Sequence, residues 1–449
     1  MCTRRPARGG FGELRTPKHR RVAGATLHAR RRAPYASTGL RATSGSGSLQ
    51  GVGPFQYRWR APESLISVED YRRAAAKRVP RLVWDYIEGG ADDLVTVRRN
   101  RTSFSRWSLR ARMMAGHAER RLSTTVAGLE IDLPVLLAPT GALGLSQWRG
   151  DLAAARAAEA AGTRLVLSTA SSWTIEEVAR GTHADHFFQL YPGGDATATL
   201  MQRAWAAGYR ALFVTVDVPV IGNREGERRY GYTRTGDMGR HLTLSAREAL
   251  DMARHPRWVV ELYRHGRGSM RNLLTEAGIS ATFQSIDILH REIDRATFAW
   301  DDLEWIREHW PGTVHVKGLL DPEDAMRAVA LGCDGVVVSN HGGRQLDHAL
   351  AALDALPAIA AAVGDRAEVP FDGGVRRGTD VVKALALGAR AVLIGRPQIY
   401  GLIVGRERGI VDVLDIFRAE LDRALTLMGA QSVHELDRSW LIENDGAFF

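Results

Sequence analysis

From residue 134 onward, short apolar runs alternate with longer Ala-rich stretches whose apolar positions recur at helical spacing. The runs fall at 135–138, 165–168, 187–190, 212–216, 314–316, 336–338, 369–371 and 391–394. Each is too short for a helix and is dominated by Val, Leu, Ile, Phe or Ala, so it reads as a strand buried on both faces. Helical candidates lie between most of them, at 152–161, 196–206, 322–331 and 379–387. Eight strand candidates with intervening helices over about 260 residues fit an α/β fold of the (β/α)8 type, a TIM barrel. A doubly wound open sheet is the alternative, but no Gly-x-Gly-x-x-Gly follows the first strand candidate, which argues against a nicotinamide fold. Ahead of this pattern, Ser67-Val68-Glu69-Asp70 starts an N-terminal helical segment. Pro80 opens another over 81–87, which closes at Gly89-Gly90.

One gap breaks the rhythm. The fourth and fifth strand candidates are separated by residues 217–313, far more than one βα unit needs. Within it an insertion at about 226–300 includes His255-Pro256-Arg257-Trp258-Val259-Val260-Glu261-Leu262-Tyr263-Arg264-His265, basic and aromatic together. At the active-site face of a barrel this reads either as a lid or membrane-surface patch, or as a solvated helical excursion whose aromatics pack on the barrel.

Charge divides the chain of 449 residues unevenly. Residues 1–60 hold twelve Arg, one Lys and one Glu, a net of +12, so the whole-chain +9 leaves −3 for residues 61–449. The division expected is therefore a disordered basic leader, 1–60, and one barrel domain, 61–449. The leader reads as a transit-peptide-like address, as a basic arm, or as sequence upstream of the true start. No aromatic interleaving accompanies its arginines, so nucleic-acid binding is not expected. Cys2 and Cys333 form no metal-ligand pattern, so neither a disulfide framework nor a metal site is indicated. Nothing approaches the run of about 18 apolar residues that spans a bilayer.

Candidate chemistry sits at the ends of the later strands. The sixth runs into Ser339-Asn340-His341-Gly342-Gly343-Arg344-Gln345-Leu346-Asp347, placing an imidazole and a guanidinium three residues apart. A barrel strand that delivers His and Arg at its carboxyl end can bind an anionic substrate and move a proton. The seventh and eighth end in Asp372-Gly373-Gly374-Val375-Arg376-Arg377-Gly378 and Gly395-Arg396-Pro397. Glycines let backbone N–H groups approach an anion and arginines add charge, at the two loops where many barrels bind phosphate.

Taken together, these motifs and Lys383-Ala384-Leu385-Ala386-Leu387-Gly388-Ala389 resemble the FMN-dependent 2-hydroxy acid dehydrogenase and oxidase family, over roughly residues 67–442. The resemblance implies FMN as cofactor. Pro139, Thr140 and Gly141 would run along the flavin edge, with Ser168, Gln189 and Thr215 binding its ring. Lys317 would lie near flavin N1 and Ser339 at the ribityl chain. Asp372, Gly373, Gly374, Arg376, Gly395 and Arg396 would hold the ribityl and phosphate ends. Arg344 and Arg224 would flank the substrate, Arg344 holding its carboxylate bidentately. Tyr86 and Tyr191 would donate to the carboxylate and the developing oxyanion. His341 would remove a proton, oriented by Asp217, as the (S)-2-hydroxy acid becomes a 2-oxo acid.

Three positions bear on the branch. Gly141 stands where the oxidases of the family carry Ala, which implies electrons passed to an acceptor other than oxygen, quinone being the natural one. Ala170 stands where the glycolate-oxidising members have Trp, leaving room for a bulkier, mandelate-like or lactate-like R group. The insertion is most like that of the mandelate-oxidising members, whose segment associates with a membrane. The expectation is a homo-tetramer, cytoplasmic or peripheral on the inner face of a membrane, with organelle targeting by the leader left open. The alternatives are an oxygen-using L-2-hydroxy acid oxidase, another FMN barrel such as a diphosphate isomerase, and a flavin-free barrel scaffold.

Overall fold

The computed structural model describes residues 65–116, 119–193, 196–229, 245–265, 270–272 and 298–444. The leader and much of the insertion lie outside the described residues. Eight short strands form one parallel sheet: β1 (Val135–Leu137), β2 (Val166–Ser168), β3 (Phe187–Leu190), β4 (Ala211–Thr215), β5 (Thr313–Leu319), β6 (Gly335–Val338), β7 (Phe371–Asp372) and β8 (Val392–Ile394). Their hydrogen-bonded order is β1-β8-β7-β6-β5-β4-β3-β2, and a parallel bridge between Leu137 and Leu165 joins the last to the first. The sheet is therefore closed, and the barrel expected from the hydrophobic pattern is the fold. Residues Pro62–Phe449 make up this compact unit.

Inside the barrel, Leu136, Val166, Phe187, Phe213, Val337 and Leu393 pack as one cluster. An antiparallel hairpin, Thr124–Val126 with Leu129–Ile131, adds Val126 and Ile131 and plugs the amino end. His315 stacks on Phe213 and shares a 3.1 Å contact with Glu368, whose carboxylate also accepts the Ala127 N–H. The plug is thus tied to the wall by polar bonds inside an apolar core, where each bond counts because unpaired groups there are costly. Every functional side chain is consequently at the other, carboxyl end.

Strand boundaries moved little. β7 covers Phe371–Asp372 rather than 369–371, because Pro370 has no N–H to give the ladder. β5 is seven residues long and irregular between Lys317 and Leu319. Gly318 there has φ +110°, and a Cβ on it would fall 2.6 Å from the Asp217 side chain. The irregularity turns Lys317 inward while leaving room for Asp217, a common use of a bulge beside a site. The N-terminal helices Val68–Ala76 and Arg81–Glu88 lie where expected, and a third, Val95–Thr102, follows them. Asp347 accepts from the N–H groups of Val95 and Thr96, docking the third of them on the loop after β6.

Candidate active site

At the carboxyl end, the loops after β1, β6, β7 and β8 converge on one cleft with about 1230 Å³ of non-atom space, its open mouth included. Tyr86, Gly141, Tyr191, Arg224, Lys317, His341, Arg344, Asp372, Gly374, Arg376 and Arg396 all line it. Ser168, Gln189, Thr215 and Ser339 are buried directly at the strand ends. Residues from every part of the chain that carried a candidate are thus brought together.

The loop after β6 makes the reactive pair. His341 adopts φ 56° and is followed by Gly342 and Gly343 at φ 65° and 77°, a left-handed run that throws the imidazole over the barrel mouth. Its backbone N–H donates to Ser339 Oγ and its Nδ1 lies 2.9 Å from Asp217 Oδ1. Burial pushes the His341 imidazole below its usual range, with the Lys317 and Arg224 cations adding to the effect and Asp217 opposing it. Burial would push Asp217 up, but the facing His341 and Lys317 hold its carboxyl below the usual range. The result is a carboxylate that accepts a hydrogen bond from the Nδ1–H of a neutral imidazole and leaves Nε2 as the basic atom.

A second chain of bonds fixes a cation. Lys317 Nζ lies 2.9 Å from Asp372 Oδ2 and donates to Ser339 Oγ at 3.0 Å, and Ser339 donates to Asp372 Oδ1 at 2.6 Å. Burial disfavours the charged lysine, but Asp372 and Asp217 more than compensate and raise its pKa. Ser339 therefore serves as the joint between Lys317, Asp372 and the His341 backbone.

The two arginines are held by what surrounds them. Arg344 Nη1 donates to the carbonyls of Tyr86 and Gly89, and its Nη2 donates to Glu227 at 2.7 Å. Arg224 donates from Nε to the Arg344 carbonyl and from Nη2 to Gln345 Oε1. Tyr86 donates its hydroxyl to the Gly141 carbonyl at 3.0 Å. Burial raises the pKa of both Tyr86 and Tyr191, so each phenol remains a donor at neutral pH.

Sequence reasoning missed several contributors. Glu227, buried against both arginines, comes from the short helix Glu225–Arg229 after β4. Met270 packs in a buried apolar cluster with Ala142, Leu145 and Ala170, and with Ala170, Val218 and Ile221 it forms the apolar lining of the cleft. It is held there by its neighbours: Arg271 donates to Glu177 at 2.5 Å, and Asn272 bonds Ser171 Oγ and the Ile175 N–H. Gln398 donates to the Ala138 carbonyl and to Thr140 Oγ1, bracing the segment after β1.

Residues 75–443 match the FMN-dependent dehydrogenase family. The chain belongs to that family. It is 40% identical to (S)-mandelate dehydrogenase of Pseudomonas putida over 86% of this chain and 95% of the relative. It is 41% identical to an L-lactate oxidase of Nostoc sp. over 85% of this chain and 99% of the relative. A crystal structure of monotopic membrane (S)-mandelate dehydrogenase superimposes with a TM-score of 0.80 at 40% identity, covering 85% of this chain and 100% of that one. The protein is an FMN-dependent oxidoreductase.

The residues present suit FMN, judged by what they leave unsatisfied. Gln189 Nε2, Thr215 Oγ1 and Arg376 Nε are buried and hydrogen-bond to none of the described residues. Burying such groups without a partner costs about 1–3 kcal/mol each, and polar ring edges or a phosphate would meet them. Gly374, at φ +84°, leaves no space for a side chain: a Cβ would fall 1.8 Å from the Asn100 carbonyl. Gly395 precedes the helical stretch Arg396–Met428, which is broken at Arg406, and lines the same cleft. The Arg396 guanidinium itself is bonded to the carbonyls of Ile87, Gly342 and Gly89, and burial lowers its pKa to about 10.

Proposed function

We propose that the enzyme oxidises an (S)-2-hydroxy acid with a bulky R group to the 2-oxo acid and passes the electrons to an acceptor other than oxygen, a quinone at a membrane surface. The observation that carries the reading is the His341–Asp217 pair facing Arg224 and Arg344 in a cleft with an apolar side. The arginines bind the carboxylate, Arg224 through Nη1 and Arg344 through its Nε and Nη2 edge. Tyr191 donates to an oxygen of the bound acid, and Tyr86 does so by turning its hydroxyl proton from the Gly141 carbonyl. His341 Nε2 accepts a proton from the hydroxy-bearing carbon or its hydroxyl, and Asp217 stabilises the imidazolium that results. FMN supplies the two-electron sink, and Lys317 keeps a fixed positive charge at the flavin-binding wall.

The R group points toward the apolar side of the cleft, lined by Ala170, Val218, Ile221 and Met270, with no bulky side chain at position 170. Burying an aryl or branched aliphatic group there gains about 25 cal/mol per Å2 over leaving it in water. For the acceptor, the helix Pro256–His265 supports a membrane surface. Its Trp258 is buried and donates to the Leu145 carbonyl, while Val260 and Tyr263 are exposed, Tyr263 by 91%. Arg257 and Arg264 flank them, so the outward face pairs apolar tips with basic charge. No helix among the described residues is long and apolar enough to cross a membrane.

The similarity to an L-lactate oxidase favours a second reading in which oxygen is the acceptor. Anaerobic mixing of the flavin-loaded enzyme with glycolate, lactate, 2-hydroxyisocaproate and mandelate, followed at the flavin band, ranks the R groups. Oxygen uptake during turnover then separates the acceptors. Bleaching strongest with mandelate or 2-hydroxyisocaproate and little oxygen uptake is expected; rapid peroxide formation would remove the dehydrogenase reading.

A further inference from the structure

Glu227 is the one carboxylate that reaches both substrate-facing arginines among the described residues. Its side chain is 2% exposed, accepts from Arg344 Nη2 at 2.7 Å, and lies 3.8 Å from Arg224 Nη1. It also lines the cleft itself, beside the groups that would hold the substrate. A carboxylate inside an anion-binding pocket works against the ligand, so its presence calls for a reason. The charges supply one. Lys317 is matched by Asp372 at 2.9 Å, while Asp217 beside the neutral His341 is a negative charge that offers a ligand anion nothing. Arg224 and Arg344 together carry two positive charges, and Glu227 cancels one of them.

We propose that Glu227 is the specificity-determining residue that sets the pocket for a hydroxy acid with a single carboxylate and excludes those with two. Within the cluster of Arg224, Arg344 and Glu227 one net positive charge is left, and one substrate carboxylate consumes it. A second carboxylate on the R group would have to lie against the apolar lining of Ala170, Val218, Ile221 and Met270 without a cation, where an unpaired charge is expensive. The balance also acts on Arg224 directly: burial and Arg344 both depress its pKa, and Glu227 opposes them. Glu227 thereby keeps two close guanidinium groups compatible until the anion arrives. The same residue holds Arg344 in place, so charge and positioning must be separated by experiment.

The inference rests on the hydroxy acid reading, and the two are tested apart. Glu227→Gln keeps an oxygen to accept from Arg344 and removes the charge; Glu227→Asp keeps the charge and withdraws it by one methylene. Calorimetric titration of the flavin-loaded enzyme with non-oxidisable anions, propanoate and succinate, reads the pocket without turnover. In Glu227→Gln, propanoate should bind about tenfold tighter and succinate about a hundredfold tighter, since each ligand charge gains from the lost repulsion. Anaerobic flavin bleaching should show the matching change: KM falls more for malate than for lactate. Glu227→Asp should keep the wild-type preference for one carboxylate and lose limiting rate as Arg344 loosens. Equal weakening of both anions in Glu227→Gln, or an unchanged succinate-to-propanoate ratio, overturns the proposal and leaves Glu227 as a strut. Wild-type flavin that no hydroxy acid bleaches overturns the underlying reading instead.

Discussion

Replacing Asp217 with Asn isolates the electrostatic part of the proton transfer. Asp217 Oδ1 lies 2.9 Å from His341 Nδ1, and its Oδ2 is buried with no hydrogen-bond partner among the described residues. Proton uptake at Nε2 creates an imidazolium whose charge centre is about 4 Å from the carboxylate, an attraction of about 4 kcal/mol at an effective dielectric of about 20. Asn returns about 1 kcal/mol as a neutral hydrogen bond. The net loss, about 3 kcal/mol, is about a hundredfold in rate. Anaerobic stopped-flow reduction at saturating substrate measures it, because the limiting rate excludes binding. Stability should hold, since removing a buried charge does not create a cavity. The pH profile adds a signature. Asp217 favours the protonated imidazole, so its removal lowers the His341 pKa further, moving the acid limb to lower pH while the plateau drops. A limiting rate within about threefold of wild type, or an acid limb moved to higher pH, would refute the assigned role.

Three further outcomes are expected. In the wild-type enzyme, His341 is needed neutral and burial lowers its pKa, so kcat/KM should be lost only as pH falls below about 6.5 and be flat above neutrality; a limb centred above 7 contradicts the buried-base picture. Thr215→Val removes a buried hydroxyl without a partner, so the flavin-free protein should be as stable or up to about 1 kcal/mol more stable, while FMN affinity measured by fluorescence titration falls about 5- to 30-fold. Loss of both, or of neither, would separate Thr215 from the flavin. Gly343→Ala forces a Cβ at φ +77° to within 2.7 Å of the Val97 nitrogen, and should cost about 2–4 kcal/mol by denaturant unfolding together with most of the limiting rate.

How much could be read from the chain depended on how local each signal is. The strand runs and the loops that end them are contiguous, so His341, Arg344, Asp372, Gly374 and Gly395 are found by pattern alone. Asp217, Tyr86 and Arg224 lie far from that loop in sequence, and only the family resemblance joined them to it. Glu227 had no such signal. Yet two arginines brought into one buried site need a counter-charge, and Arg224-Glu225-Gly226-Glu227 offers acids one and three residues on. On the short helix that follows, the third position turns to the side of Arg224 and the first does not. Met270 was less accessible still, because its place is fixed by Arg271 and Asn272 gripping the loop after β2, a contact with no periodicity to announce it.

The insertion shows where hydrophobic pattern stops being decisive. Its helix Pro256–His265 was open to two readings, packing on the barrel or docking elsewhere, and both draw on apolar residues at helical spacing. The structure divides them by face. Trp258, Val259 and Leu262 turn to the barrel, which accounts for the first reading. Val260 and Tyr263 remain on the outside, next to Arg257 and Arg264. Exposed apolar surface carries a cost in solubility, and paired with arginines it suits an anionic bilayer surface. Val260→Asp with Tyr263→Asp should therefore release the enzyme from anionic vesicles in a flotation assay while anaerobic bleaching by hydroxy acid is unchanged, because neither residue reaches the cleft. Retention on vesicles after both substitutions would show that this face does not hold the membrane.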